Sequence, residues 1–243
     1  MFSASCLNCG LQKICFPTGL DRDEMNRLDD IVQRKAPLQK NQILFSAGDT
    51  FSSLYAIRAG VVKVFSFSDC GKEIIHGFYL PGDVVGIDAL SSKRHLFSAA
   101  ALDATSICTL PFDELCELSL KIPHLNIQVL NMMSKEVLEG RLHSELLTKK
   151  NAVQRITQFI WTMADRYRSR GYHYLEFRLS ILHRDVATYL GLTPETVSRV
   201  LAKLHKESVV TWKKREVTIH DEAALRKLAG VVEGDPISCF NAL

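Results

Sequence analysis

The sequence predicts an α+β chain: an antiparallel β sandwich or jelly roll first, one long helix next, and a small domain of helices with a β-hairpin last. Three observations predict it. Short β-rich runs between about Leu38 and Leu110 are punctuated by glycine-centred turns, a proline-free stretch of helix formers runs from about His124 to Leu147, and beyond Asn151 helical patterns precede a hairpin pattern.

In the first region the β-rich runs include Leu54 to Ile57, Val61 to Phe67 and Glu73 to Leu80. The turn signals are Ala47-Gly48-Asp49, Arg58-Ala59-Gly60, Cys70-Gly71-Lys72 and Pro81-Gly82-Asp83, with glycines spaced 12, 11 and 11 apart. Such regular alternation of strand and turn fits an antiparallel roll rather than a βαβ domain. In the long helix, Leu130, Met133 and Val137 repeat at three and four. That spacing suits a helix packed on its own domain. It also suits the seam of a coiled-coil dimer, although the next seam positions are Gly140 and Ser144. The expected divisions are a cysteine-rich segment (1–20), a β roll (21–120), the long helix (121–148), a second domain of helices and a hairpin (149–230) and a tail (231–243).

The stretch HRDVATYLGLTPETVSRVLAKLHK, from His183 to Lys206, reads as two helices joined by a tight turn. Ala187 is small where two helices cross, and Gly191 allows the sharp turn. Thr193 suits an N-cap and Pro194 the first helical position, where a missing N–H costs nothing. At 100° per residue, Val197, Val200, Leu201 and Leu204 fall within one arc, and Glu195, Ser198, Arg199, Ala202 and Lys203 fall opposite. Ordinary amphipathic helices share that division. The hairpin Val209 to Ile219, with Lys213, Lys214 and Arg215 at its tip, adds a wing. In a winged helix-turn-helix the second helix enters the major groove. There Arg199 would donate to guanine, Glu195 would accept from cytosine N4, and Ser198 would adapt to either partner, while the wing lysines would contact phosphates.

Charge agrees with this reading. The formal net charge is +3, but residues 149–230 carry 16 Lys and Arg against 8 Asp and Glu. The excess has the sign that a phosphate backbone attracts, although a merely solvated surface can show the same bias. No secretory signal pattern and no uninterrupted apolar run of membrane length occurs, so a soluble, cytoplasmic chain without a membrane partner is expected. Seven cysteines without a signal argue for reduced thiols rather than a disulfide framework.

Three of those cysteines open the chain: Cys6 to Cys15 reads CLNCGLQKIC. A Cys-x2-Cys pair is common in zinc sites, and on spacing alone zinc stands somewhat ahead of an iron-sulfur cluster, with incidental buried thiols as the third reading. No second Cys-x2-Cys and no paired His-x3-His supports zinc.

With a jelly roll, long helix and winged helix-turn-helix in that order, the chain resembles the cyclic-AMP receptor protein superfamily of bacterial transcription regulators. Within it the chain is similar to the fumarate and nitrate reduction regulators (FNR), the oxygen sensors. The family's C-x2-C-x5-C cluster is reproduced by Cys6, Cys9 and Cys15, and its fourth cysteine by Cys108 in SICTLPFDEL. Further shared stretches are LYAIRAG, LLTKKNA, EFRLS and GLTPETVSR.

The resemblance implies one 4Fe-4S cluster per subunit, held by Cys6, Cys9, Cys15 and Cys108. It further implies a homodimer along Leu130, Met133 and Val137, and an E-x-x-S-R readout by Glu195, Ser198 and Arg199 of inverted TTGAT-type half-sites in double-stranded DNA. The expected partners are that DNA, a second copy and RNA polymerase, and the expected role is regulatory, not enzymatic. Cys70, Cys116 and Cys239 are expected to be spare thiols. Cyclic nucleotide is not expected to bind: the superfamily's phosphate cassette needs a Glu and an Arg, and the corresponding positions here are Gly86-Ile87 and Phe97-Ser98. Gly140 stands at a seam position where family members can carry an acidic residue that opposes dimerisation.

Overall fold

The computed structural model describes residues 5–231. The chain divides into two compact units, one up to Glu136 and one from Val137 onward.

The first unit begins with a 3-10 turn at Cys6–Asn8 and helix α1 (Arg22–Ile31). Helix α1 starts where a capping box allows it: the Asp21 carboxylate accepts the Glu24 N–H at 2.8 Å, and the Glu24 carboxylate accepts the Asp21 N–H at 3.0 Å. Strands follow as β1 (Gln33–Arg34), β2 (Ile43–Phe45), β3 (Ser53–Ala59), β4 (Val62–Phe67), β5 (Glu73–Tyr79), β6 (Val84–Val85), β7 (Ser98–Ala101) and β8 (Ser106–Pro111). They form two antiparallel four-stranded sheets, ordered β1-β8-β3-β6 and β2-β7-β4-β5. Every glycine of the regularly spaced turns has a left-handed φ: 90° at Gly48, 87° at Gly60, 75° at Gly71 and 96° at Gly82. At Gly60 a side chain is also excluded sterically, because a Cβ would lie 2.6 Å from the Ala104 carbonyl oxygen.

Helix α2 (Phe112–Lys121) closes the roll, and α3 (Pro123–Lys149) begins two residues later. Leu28 of α1, Leu54 of β3, Leu115 of α2 and Leu125 of α3 are at most 1% exposed in one shared core. Each such burial contributes about 1.5–3 kcal/mol. The cysteine segment joins the same core through Phe16 and Leu20. Helix α3 has 27 residues, about 40 Å at 1.5 Å per residue.

In the second unit, α4 (Ala152–Ser169) starts with a capping box between Asn151 and Gln154. Strand β9 (Glu176–Arg178), α5 (His183–Tyr189), α6 (Pro194–Lys206), β10 (Val210–Lys213), β11 (Glu216–Ile219) and α7 (Glu222–Ala229) complete it. The sheet order is β10-β11-β9, all antiparallel. The unit is a winged helix-turn-helix, and with the roll and long helix before it the α+β class follows. No helix among the described residues is long and apolar enough to cross a membrane.

Candidate metal centre and nucleic-acid interface

The cysteine segment folds as consecutive turns rather than a regular element. Cys9 N–H donates to the Cys6 carbonyl at 3.3 Å, and Cys15 N–H to the Leu11 carbonyl at 2.9 Å. The Gln12 side-chain amide reaches back to the Cys6 carbonyl at 2.8 Å. Leu11 and Phe16, 6% and 4% exposed, hold the turns down against the roll. Cys108 arrives separately on β8, between β1 and β3. Cys6, Cys9, Cys15 and Cys108 line one cavity, 93 positions separating the last two. Cys70 and Cys116 are exposed elsewhere, and Cys239 lies outside the described residues.

The electrostatics of this cavity are uneven. Burial pushes the Cys6 thiol up to about 12, with the neighbouring Asp29 adding to the shift, and burial alone dominates at Cys15, also about 12. Cys108 is raised by burial as well, against an opposing pull from Arg34. The uncoordinated Cys6 and Cys15 thiols are therefore protonated at neutral pH, and metal capture by either must release a proton. Burial also works against the Asp29 carboxylate, but the Cys6 N–H and the Arg34 guanidinium outweigh it and hold that carboxyl below the usual range. Arg34 reaches within 3.5 Å of Cys6 Sγ.

The donor set fits a group that takes one thiolate per iron, since four thiols share one largely apolar cavity. A single zinc ion would need its thiolates drawn to within about 4 Å of one another.

The cysteine segment is also fastened to α3. The Gln128 side chain donates to the Thr18 carbonyl at 3.0 Å, and Gly19 packs so closely on His124 that a Cβ would meet its Nε2 at 2.5 Å. Ile14 of the same segment abuts the Gly82 turn, whose next residue, Asp83, pairs with Lys135 of α3 at 3.7 Å. Along α3, Ile127, Leu130, Met133 and Val137 form an apolar stripe that is 51%, 63%, 41% and 56% exposed.

In the second unit the expected helix-turn-helix is formed. The Thr193 hydroxyl accepts the Thr196 N–H at 3.2 Å, with Pro194 next in line. Gly191 takes φ 61°, and the Leu192 N–H caps α5 by donating to the Ala187 carbonyl at 2.9 Å. Val197, Val200, Leu201 and Leu204 are buried, while Glu195, Ser198, Arg199, Ala202 and Lys203 are exposed. The wing is the β10–β11 hairpin, where Lys213 pairs with Glu216 across a two-residue loop and Lys214 takes φ 54°.

Arg155 of α4 escapes sequence reading. Its guanidinium donates to three carbonyls, of Leu147 at 2.6 Å, Lys150 at 2.8 Å and Leu190 at 3.0 Å, so it clamps the turn between the two recognition-motif helices. Asp29, Arg34 and Gln128 were missed for the same reason: each acts on a residue far off in sequence, and none stands in a pattern.

The cassette region is occupied by the protein's own groups. Gly86 takes φ 101°, and the Asp88 carboxylate accepts the Leu96 N–H at 2.8 Å and the Phe97 N–H at 3.3 Å. Buried His95 stacks on Phe45 at 3.8 Å, and the Arg94 guanidinium donates to the Gly48 carbonyl at 2.7 Å.

A β roll followed by a winged helix with an exposed Glu-x-x-Ser-Arg face defines a DNA-binding transcription regulator, not an enzyme. Comparison bears this out and narrows it. Residues 154–228 match the model of the Crp-like helix-turn-helix domain, and residues 35–120 that of the cyclic nucleotide-binding domain. The chain is 42% identical over 229 residues to the fumarate and nitrate reduction regulatory protein of Yersinia pestis, covering 94% of this chain and 92% of that one. It is also 42% identical over 228 residues to the anaerobic regulatory protein of Pasteurella multocida, covering 94% and 84%. Over 232 residues it is 42% identical to the transcriptional activator protein Anr of Pseudomonas protegens, covering 95% of each. Among solved structures, FixK2 from Bradyrhizobium japonicum shares the fold, with a TM-score of 0.75 and 24% identity, covering 83% of this chain and 99% of that one. The chain belongs to the FNR family of anaerobic transcription regulators within the CRP/FNR superfamily.

Proposed function

We propose that the protein is an oxygen-responsive regulator in which Cys6, Cys9, Cys15 and Cys108 hold one 4Fe-4S cluster per subunit. The observation that carries this reading is the meeting of all four thiols on one cavity whose wall, the cysteine segment, is fastened to α3. When bound, the cluster supplies a centre that oxygen can degrade. The chain's own residues do the rest. Cys6 and Cys15 give up their protons to become ligands, and Cys108 ties the segment to β8. Gln128 and His124 hold the segment against α3, the helix whose exposed stripe would meet a second copy.

Coordination that favours one arrangement of this segment favours the dimer-competent state of α3, and loss of coordination withdraws that preference. A dimer then presents two α6 helices to an inverted repeat of TTGAT-type half-sites, with Arg199 on the guanine, and positions RNA polymerase as partner. Cyclic nucleotide is not the effector in this reading. Ile87 and Phe97 stand where a buried cyclic phosphate would need Glu and Arg, and Arg94 is committed to Gly48.

The test is the iron, sulfide and zinc content of protein purified anaerobically, followed by its visible spectrum before and after air. About four iron and four sulfide per chain, with absorption that bleaches in air, is the expected result. Stoichiometric zinc would support a zinc or thiol switch at the same cysteines and sink the cluster.

A further inference from the structure

The antiparallel ladder sets Arg34 of β1 directly opposite Cys108 of β8, so the two side chains leave the sheet on one face. The Arg34 guanidinium is then held by Asp29, the last-turn carboxylate of α1, with Nη2 as donor. The same nitrogen lies 3.5 Å from Cys6 Sγ, and the same carboxylate oxygen accepts the Cys6 N–H at 2.8 Å. One ion pair thus touches the first ligand of the loop and faces the only ligand of the sheet. Nη1 donates to the Val32 carbonyl at 3.5 Å, which leaves Nε as the unusual donor of the fork. Arg34 Nε is buried and has no hydrogen-bond partner, in the wall of the cavity that the four cysteines line. A buried guanidinium N–H without an acceptor is costly, and proteins rarely leave one unless something else supplies the acceptor.

We infer that Arg34 is a positioning residue for the cluster: it keeps Cys6 and Cys108 in register and presents Nε–H to a sulfur acceptor in the cavity. The inference rests on the cluster reading above. Four thiolates also bring negative charge into an apolar space, and a guanidinium fixed by Asp29 offsets it where Lys35, exposed beside it, does not. A lysine could not substitute, because an ammonium on a flexible stem lacks the planar fork that serves Asp29, Cys6 and the cavity together. Hydrogen bonds to cluster sulfurs and nearby charge set both retention and reduction potential.

The experiment is anaerobic reconstitution of the full chain as wild type, Arg34→Gln, Arg34→Lys, Asp29→Asn and, as control, Lys35→Gln. Two quantities are read: the rate of iron loss to a chelator without oxygen, and the midpoint potential of the cluster. Thermal melts of the metal-free proteins identify any variant that fails to fold, in which case Arg34→Lys and Asp29→Asn decide. Arg34→Gln and Arg34→Lys should release iron roughly 10- to 100-fold faster, with a more negative potential, and Asp29→Asn should fall between them and wild type. Lys35→Gln should match wild type. Wild-type rates and potential in both Arg34 variants would overturn the inference while leaving the cluster reading standing, and an equal effect from Lys35→Gln would reduce Arg34 to general charge. A wild type that binds no iron and sulfide would overturn the cluster reading itself.

Discussion

The recognition helix and the cysteine segment each offer a few polar or ionisable side chains to a partner, and they are held by opposite means. Helix α6 is specified almost entirely by its own residues: a threonine cap, a proline at the first position and four buried aliphatics at helical spacing. Remote support at the turn comes from the Arg155 clamp on the Leu190 carbonyl. Among the described residues the cysteine segment has no regular element beyond one 3-10 turn. Its contacts come from Asp29, 23 positions from Cys6, and from Gln128, 110 positions from Thr18. A helix whose caps and periodicity are local needs its neighbours only for packing. A segment built from distant contacts takes its shape from whatever it binds, which is the property a sensor needs.

The largest effect should come from breaking the sensor. On the proposed reading, Cys108→Ser would remove the ligand that the sheet supplies, and Cys6→Ser, Cys9→Ser or Cys15→Ser would each remove one from the loop. Every one of the four should abolish cluster retention, measured as iron and sulfide per chain after anaerobic reconstitution. Exposed Cys70 and Cys116 should be dispensable. A Cys116→Ser protein that lost its cluster while Cys108→Ser kept it would reverse the ligand assignment.

The next effect tests what the sensor acts on. The exposed stripe of α3 contains Met133 at 41% and Val137 at 56% exposure, far more than a helix packed only on its own domain would leave. Met133→Glu or Val137→Glu would set like charges across a dimer axis and should raise the dimer dissociation constant by roughly 100-fold or more. Anaerobic sedimentation is the measurement. An undisturbed dimer would place the interface elsewhere.

How much of this was legible in the sequence follows the same division. The left-handed glycines at 48, 60, 71 and 82 mark the turns of the roll, and α6 was legible residue by residue, since caps and periodicity are local. Cys6, Cys9 and Cys15 were legible as a spacing, which left zinc and iron-sulfur open until the family resemblance chose between them and pointed to Cys108. Asp29, Arg34, Gln128 and Arg155 were illegible: an acid, two arginines and a glutamine on ordinary elements acquire meaning only when the fold brings a distant carbonyl, thiol or carboxylate to them. The short strands β1 and β6, two residues each, were also invisible, being too brief for any period.

The smallest effects are the most discriminating, because they ask whether α6 reads bases or merely carries charge. Arg199 is exposed on the face opposite Val197 and Val200. If it bonds the guanine of TTGAT, Arg199→Ala should cost roughly 1–3 kcal/mol per half-site and relax discrimination at that base pair alone. Lys214, at the left-handed tip of the wing, should contact phosphate. Lys214→Ala should then weaken all DNA alike and make the salt dependence shallower by about one phosphate contact per subunit. Anaerobic binding would be measured at several salt concentrations, to the inverted repeat and to a version with that guanine changed in both halves. Wild type should discriminate between the two DNAs, Lys214→Ala should discriminate as well as wild type, and Arg199→Ala should not. Equal losses of affinity for both DNAs in Arg199→Ala would make the arginine a phosphate contact. The α6 face turned to the bases would then have to be redrawn around other exposed residues.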